Sequence, residues 1–246
     1  MKWLDGRVVA RKAWTEHHFS LSIEADLPPF EAGQFVRLGL DVDGQVVGRP
    51  YSLVNPPDAD MLEIYFDIVP GGPLSTHLSV LDAGDPISVG EHANGFLVLS
   101  EVPDGRDLWL IASGTGVGPF LSMLRTPTLW QRFESVRLVY AVRHARELAY
   151  PEVVADIERE HGERFRFIPF VSRESCDFAL SGRIPAAIAE GRLQERAGLA
   201  FSAEVSRVML CGNPGMVEDA TEVLKTLGLA KHRRKEPGQI LTENYW

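Results

Sequence analysis

The sequence contains few of the residues that metal centres and disulfide scaffolds require. Among its 246 residues there are only two cysteines, Cys176 and Cys211. Two thiolates are too few to complete a tetrahedral zinc site or an iron–sulfur cluster, and they do not make a secreted disulfide framework. We therefore expect no metal centre in this chain.

Long apolar runs are also missing. No stretch approaches the roughly 18 consecutive apolar residues that a membrane-spanning helix needs. The N-terminal segment Met-Lys-Trp-Leu-Asp-Gly begins without the apolar core of a secretory signal peptide. The sequence thus predicts a soluble, cytoplasmic protein that does not contact a membrane.

An excess of basic charge is absent as well. The chain carries 25 lysines and arginines against 34 acidic residues, a formal net charge of -9. Because non-specific nucleic-acid binding requires a basic surface, we expect no nucleic-acid partner. With 45% hydrophobic residues and this length, the chain can form one large or two medium domains.

Up to about residue 100 the apolar residues recur with a period of two. Alternating runs occur at residues 18–23, 36–40 and 62–68, and they are separated by turn residues such as Pro28-Pro29 and Gly71-Gly72-Pro73. Short strands at this spacing predict a small antiparallel barrel or sandwich. One helical piece is expected at residues 74–81.

After residue 106 the pattern changes to strands that alternate with helices. Apolar, β-branched or aromatic runs at residues 107–112, 136–142, 166–171 and 205–211 are predicted strands, and 239–241 is a short last one. Helical patterns lie between them, at residues 151–160, 184–190 and 216–227. Such alternation indicates a parallel sheet covered on both faces. The polar segment 101–106 marks the expected boundary between domains 1–100 and 101–246.

The stretch Arg49-Pro50-Tyr51-Ser52 carries the first candidate site. In an extended strand Arg49 and Tyr51 share one face and Ser52 lies on the other. The arginine fork suits a phosphate, the tyrosine ring suits a flat ligand, and the hydroxyl adds one small polar contact. A flavin nucleotide fits this set, although the same tetrapeptide also occurs as a plain edge strand with a solvated arginine.

A turn that opens a short helix offers a second candidate. The glycine pair Gly71-Gly72 precedes Pro73-Leu74-Ser75, where free backbone N–H groups at the start of a helix suit a pyrophosphate. An ordinary capped surface turn remains the alternative.

The run from Gly114 to Pro119 follows a predicted strand and opens a predicted helix. Its glycines allow a tight turn and a close approach to a pyrophosphate. It departs from the full G-x-G-x-x-G fingerprint because Pro119, five places after Gly114, stands where the third glycine belongs. The context still favours a nucleotide-binding turn that includes Thr115.

Three arginines are expected at neighbouring strand ends of the parallel sheet. Arg143 follows one strand, Ser172-Arg173 follow the next, and Arg183 precedes a helix. Ligands of such sheets bind beyond these ends, and the acid that would read the free ribose of NAD is missing. The cluster therefore predicts a 2′-phosphate ligand and NADP(H), although each arginine alone fits a solvated surface position.

Two further features are open to more than one interpretation. Cys211 ends a predicted buried strand, where it either touches a nicotinamide ring or serves as a small buried hydrophobe. The basic run 232–235 is either solvated or part of a docking face for an acidic protein. His17-His18 lacks a third metal ligand and is interpreted as surface or strand face.

Taken with their order along the chain, these motifs resemble those of the ferredoxin–NADP+ reductase family, in particular its bacterial ferredoxin/flavodoxin reductases. The similarity spans almost the whole chain. It rests on Arg49-Pro50-Tyr51-Ser52, the 114–119 turn, the Cys211-Gly212-Asn213-Pro214-Gly215-Met216 run and the terminal Tyr245-Trp246. The resemblance implies an antiparallel β-barrel FAD-binding domain followed by an α/β NADP(H)-binding domain.

The resemblance also implies roles for individual residues. Tyr51 would stack on the flavin, Ser52 would lie near flavin N5, Cys211 would lie by the nicotinamide, and Thr115 would touch both cofactors. Trp246 would stack on the FAD adenine, with Tyr245 near the flavin. Further FAD contacts would come from Arg49, Pro50, Tyr65, Phe66, Asp67, Ile68, Pro73, Leu74 and Ser75, and NADP(H) contacts from Arg143, Ser172, Arg173 and Arg183.

The expected activity is transfer of electrons between NADPH and a small one-electron carrier, ferredoxin or flavodoxin, by a monomeric FAD enzyme. The nearest alternative is a free-flavin reductase of the same fold, which uses flavin as a substrate. A non-enzymatic module that senses NADPH or docks onto a redox complex is the alternative from another class.

Overall fold

A computed structural model describes residues 2–42 and 44–244 of the chain. The N-terminal part forms one six-stranded antiparallel sheet and a one-turn helix, α1. The strands are β1 (Trp3–Ala13), β2 (His18–Glu24), β3 (Phe35–Val42), β4 (Gln45–Ser52), β5 (Leu62–Asp67) and β6 (Pro86–Gly90), and α1 spans Ser75–Leu78.

This first sheet closes on itself. Its strand order is β4-β3-β6-β1-β2-β5, so β4 and β5 are the two ends. Just beyond β4 the chain bridges back to β5 between Leu53 and Ile64, and the Val54 amide donates to the Glu63 carbonyl at 2.8 Å. The predicted barrel is confirmed, and its interior is filled by apolar residues of its strands, among them Leu21, Ile23, Val36, Leu38 and Val89.

The C-terminal part is a six-stranded parallel sheet with six helices. The strands are β7 (Asp107–Ser113), β8 (Ser135–Val142), β9 (Phe165–Val171), β10 (Leu180–Ser181), β11 (Ser206–Gly212) and β12 (Ile240–Asn244). The helices are α2 (Gly118–Leu124), α3 (Pro127–Arg132), α4 (Pro151–His161), α5 (Ile184–Ala189), α6 (Arg192–Ala197) and α7 (Pro214–Thr226). The order β10-β9-β8-β7-β11-β12 aligns all the carboxyl ends along one edge.

Two apolar clusters cover the two faces of this sheet, as the near-continuous apolar strands require. One contains Phe120, Leu129 and Ile157 from α2, α3 and α4. The other contains residues of α5, α6 and α7, including Ile188 and Leu224. The predicted sheet with helices on both faces is therefore confirmed.

Several elements differ from the sequence-based prediction. Strands β1, β6 and β10 and helices α3 and α6 were not predicted. In β1 only Val8 is buried, so the alternation that identifies a strand is missing. The helix expected over 74–81 is a single turn, because Val80 and Leu81 bond to carbonyls three residues back, as in a tighter 3-10 turn.

No helix in the described part of the chain is long and apolar enough to cross a membrane.

Candidate active site

Strand β4 carries the Arg49–Ser52 motif at its C-terminal end. Arg49 and Pro50 are exposed, Tyr51 is half-buried, and Ser52 is only 5% exposed. Pro50 has no backbone N–H to donate. It is tolerated because β4 is the first strand in the sheet order, so no hydrogen bond between central strands is lost. The motif thus combines a solvent-facing guanidinium with a buried hydroxyl on one strand.

The Tyr51 ring packs edge-on against Phe66 of β5, with ring centroids 5.9 Å apart and an interplanar angle of 79°. Burial raises the pKa of Tyr51, so its hydroxyl is neutral at physiological pH. This packing fixes the ring plane and leaves a neutral aromatic surface, which is what a flat cofactor ring requires.

Residues 65–75 form the continuation of the predicted FAD site. Tyr65, Phe66 and Leu74 are core residues at 4%, 2% and 1% exposure. Asp67 and Ile68 are half-buried, and Pro73 is exposed. A ligand bound here would therefore contact backbone groups and the half-buried Asp67 and Ile68, because the core side chains are buried.

Ser75 has a structural partner of its own. Its hydroxyl accepts a hydrogen bond from the Val69 amide at 2.9 Å, and the Gly72 amide donates to the Val69 carbonyl at 2.8 Å. These two bonds hold the 69–75 loop in a compact turn. Ser75 thus shapes the loop that the sequence assigned to pyrophosphate binding.

Two glycine turns meet at the carboxyl edge of the parallel sheet. After β7 the chain makes a 3-10 turn over residues 114–117 and enters α2. A Cβ atom at Gly116 would lie 2.6 Å from the Cys211 carbonyl oxygen, so this approach requires glycine. Ser113 secures the contact, because its hydroxyl accepts a hydrogen bond from the Asn213 amide at 2.9 Å. Thr115 lies in the first turn and is 7% exposed.

Cys211 is the second-last residue of β11 and is 0% exposed. It pairs with Ala112 of β7 on one side and with Glu243 of β12 on the other. The small side chain suits this crowded position between two turns. The sequence allowed two interpretations of Cys211, a small buried hydrophobic residue or a contact to the nicotinamide ring. The burial seen in the structure agrees with the first interpretation.

The arginine cluster lies on three adjacent strand ends, as predicted. Arg143 follows β8, Arg173 follows β9, and Arg183 follows β10, and these strands are consecutive neighbours in the sheet. The Arg173 amide donates to the Arg143 carbonyl at 2.9 Å, and the Ser172 hydroxyl donates to the Val142 carbonyl at 3.2 Å. All three arginines are exposed, so their guanidinium groups are accessible to an anion.

The two sheets are tied together beside these sites. The Ser122 hydroxyl of α2 donates to the Asn55 carbonyl at 2.6 Å, three residues after Ser52. Val54 and Tyr65 of the barrel belong to the same apolar cluster as Val117 and Cys211.

Tyr150 adds a second link between the sheets. Its hydroxyl lies 2.6 Å from the Ser20 hydroxyl and donates to a Glu63 carboxylate oxygen at 2.9 Å. The residue is buried and has left-handed backbone angles of φ 60° and ψ 40°. Such a backbone is strained for a tyrosine and persists only where surrounding contacts fix it.

Two residues near the site were not assigned to it from the sequence. His18 stacks on Tyr65 at 6.1 Å, and its pKa is lowered chiefly by burial. Glu243 lies beside Cys211, and burial raises its pKa to about 7. The sequence feature that points to Glu243 as a site residue is its position in the terminal strand, two residues before Tyr245-Trp246. His18 contacts Tyr65, which is far away in the sequence, so no local sequence pattern predicts this contact.

Tyr245 and Trp246, assigned to the flavin and adenine, lie outside the described residues. The chain leading to them is fixed by the pairing of Asn244 with Gly212.

Comparison with known proteins agrees with this architecture. The family of oxidoreductase FAD-binding domains matches residues 10–91, and that of oxidoreductase NAD-binding domains matches residues 110–222. The flavodoxin/ferredoxin–NADP reductase of Escherichia coli (strain K12) is 44% identical over 245 residues, with 99% of each chain covered. The chain belongs to the flavodoxin/ferredoxin–NADP reductase family.

Other members of this family show the same relationship. The ferredoxin–NADP reductase of Pseudomonas aeruginosa is 36% identical, with 96% of this chain and 95% of the relative covered. The crystal structure of a ferredoxin NADP+ reductase from Neisseria gonorrhoeae, with bound FAD and NADP, superposes with a TM-score of 0.95 at 33% identity. That superposition covers 100% of both chains, so the fold is shared from end to end.

Proposed function

We propose that this protein is an FAD-dependent reductase that transfers electrons between NADPH and a small one-electron carrier, flavodoxin or ferredoxin. Its membership of the family and its full-length similarity to a structure that holds both nucleotides support this function. Residues 1–100 would form the FAD-binding domain and residues 101–246 the NADP(H)-binding domain. The enzyme would act as a cytoplasmic monomer, a state that light scattering tests.

One structural observation carries the proposal. The strand that bears Tyr51 and Ser52 continues into Asn55, which is bonded to Ser122 in the helix opened by the glycine turn. Since the two candidate cofactor sites are thereby joined through a few residues, their relative position is fixed before any ligand binds. Such preorganisation is what transfer between two stacked rings requires.

The residues present fit a flavin nucleotide. Ser52 is nearly buried, yet its hydroxyl makes no hydrogen bond to another of the described residues, which leaves it available to a ligand. Arg49 would hold a phosphate, Tyr51 would lie against the ring system, and the 65–75 segment would line its edge. FAD, when bound, supplies the step from two-electron to one-electron chemistry, and the protein supplies orientation and electrostatics.

The second site fits NADP(H). Gly114 has a φ of 55° with open space around it, and Gly116 lies against Cys211, so the turn presents backbone to a pyrophosphate. Thr115 would contact both cofactors. Ser172, Arg143, Arg173 and Arg183 would bind the 2′-phosphate, because guanidinium forks match phosphate oxygens.

The function is tested by purifying the protein and extracting its cofactor. We expect retained FAD and NADPH-dependent reduction of purified flavodoxin under anaerobic conditions. A protein that binds flavin only as an exchangeable substrate, and reduces free flavin rather than flavodoxin, would be a free-flavin reductase. A protein that reduces no acceptor would be a sensing or docking module.

A further inference from the structure

Most of the arginine side chains are held by another part of the protein. Arg137, for example, donates to the Ala197 carbonyl at 3.1 Å, and Arg7 pairs with the Glu24 carboxylate at 2.7 Å. Within the described part of the chain, the arginine side chains that make neither a hydrogen bond nor an ion pair are Arg143, Arg146, Arg173 and Arg183. All of them follow the carboxyl ends of the neighbouring strands β8, β9 and β10. The unpaired guanidinium groups are thus gathered at one edge of the parallel sheet.

Arg146 is the member of this group that has no role in the site described so far. It lies in the 3-10 turn Ala145–Glu147, three residues after Arg143, and its side chain is exposed. A single exposed arginine is ordinary on a protein surface. On a chain with a net charge of -9, however, a surface arginine has many carboxylates to pair with, and Arg146 pairs with none of those described. Its position beside other unpaired arginines therefore points to an anion from outside the protein.

The carboxylates closest in sequence are bonded to the backbone instead. One Glu147 oxygen accepts hydrogen bonds from the amides of Arg143 and His144, at 2.9 and 3.2 Å. One Glu174 oxygen accepts a hydrogen bond from the Ala145 amide. Because these oxygens are occupied by backbone N–H groups, the neighbouring guanidinium groups keep their donors free.

The same bonds fix the position of the turn. The Arg173 amide donates to the Arg143 carbonyl at 2.9 Å, and Glu174, the next residue, holds the Ala145 amide. The loops after β8 and β9 are therefore linked to each other by two hydrogen bonds on either side of the arginines. The backbone of Arg146 is ordered before any ligand arrives, which lowers the entropic cost of binding.

We propose that Arg146 is a further determinant of selectivity for NADPH over NADH, an inference that rests on the proposed function. NADPH differs from NADH by its 2′-phosphate, which adds a charge of about -1.5 to -2. Arg146 adds one positive charge to the edge where Arg143, Arg173 and Arg183 would bind that phosphate. An exposed charge acts over a Debye length of about 8 Å at physiological salt, so Arg146 attracts the approaching nucleotide without a fixed contact.

The test compares two exposed arginines on opposite edges of the same sheet. Arg166 is the second residue of β9, at the amino end of the strand, and donates only to the Arg196 carbonyl. Arg146→Ala and Arg166→Ala each remove one positive charge, so they change the net charge equally. Arg146→Lys keeps the charge and removes the guanidinium. The measured quantity is the second-order rate constant for reduction of bound flavin, by NADPH and by NADH, in stopped flow.

We expect Arg146→Ala to lower the ratio of the NADPH to the NADH rate constant by about fivefold at low salt. The ratio of the wild-type protein should be kept by Arg166→Ala, and by Arg146→Lys to within about twofold. Added salt should bring the Arg146→Ala ratio towards that of the wild-type protein, because it screens exposed charges. The comparison of two nucleotides within one variant removes any loss of folded protein.

The contrary outcomes separate this inference from the proposed function. If NADPH reduces the wild-type flavin faster than NADH does, and the Arg146→Ala and Arg166→Ala ratios agree within about twofold, Arg146 has no part in selectivity and the function stands. Equal losses in Arg146→Lys and Arg146→Ala, or a loss that salt leaves unchanged, would also overturn an action through charge. If NADPH does not reduce the wild-type flavin, the proposed function fails and this inference fails with it.

Discussion

Glu243 makes the stability of the fold depend on pH. Its carboxylate faces the 95–97 segment of the first domain, and the Leu97 backbone N–H hydrogen bonds to it. One carboxylate oxygen would lie 3.6 Å from a Cβ atom at Gly95. Burial is the larger influence and raises the pKa from 4.5 to about 7.

The size and sign of the effect follow from this shift. One pKa unit corresponds to about 1.4 kcal/mol, so the rise from 4.5 to about 7 corresponds to about 3 kcal/mol. The folded state binds the proton more tightly than the unfolded state. Its contribution is therefore fully present below pH 4.5 and is lost as the pH rises through about 7.

Glu243→Gln removes the titration and keeps a carbonyl oxygen to accept the Leu97 hydrogen bond. We expect the variant to exceed wild type in free energy of unfolding by about 2 kcal/mol or more at about pH 8, and by much less at about pH 5. Urea unfolding followed by tryptophan fluorescence, with a fixed excess of FAD, measures the difference at both pH values.

The exposed carboxylate of Glu218 on α7 provides the control. Glu218→Gln should shift the unfolding midpoint equally at both pH values. An equal effect of Glu243→Gln at about pH 5 and about pH 8 would refute the reasoning, because it would show that Glu243 has the same proton affinity in both states.

Three further outcomes follow from the site. Ser52→Ala should slow flavin reduction by NADPH by about tenfold or more while FAD stays bound; an unchanged stopped-flow rate would remove Ser52 from the reaction. Arg173→Ala should lower the preference for NADPH over NADH by about tenfold with NADH kinetics unaltered, and an intact preference would disprove the 2′-phosphate assignment. Tyr150→Phe should lower the free energy of unfolding by about 1 to 2 kcal/mol, since it removes the hydrogen bonds of this hydroxyl to Glu63 and Ser20; no shift in the urea midpoint would show that this link adds nothing.

The part of the site that the sequence predicted lies on regular strands. Arg49, Tyr51 and Ser52 alternate on β4, and period two alone assigns their faces. The grouping of Arg143 and Arg173 follows from parallel strands whose carboxyl ends share one edge. In both cases the chemistry depends on local geometry, which the sequence pattern specifies.

The residues that escaped prediction acquire their roles through distant contacts. His18 stacks on Tyr65 of another strand, and Phe96, in the loop after β6, meets Arg234, in the loop before β12. Strand β1 was missed because most of its residues are exposed and no alternation remains. Such features depend on packing between segments, which periodicity along one segment does not encode.

The most direct test of the account is anaerobic mixing of the purified protein with NADPH and, separately, with NADH. The absorbance of bound flavin near ~450 nm reports reduction. The account predicts fast bleaching by NADPH and slow bleaching by NADH, because the exposed arginines at the ends of β8, β9 and β10 would bind only a 2′-phosphate. A flavin that neither nucleotide bleaches would contradict the reductase itself, and equal bleaching by both would contradict the assignment of the arginine cluster.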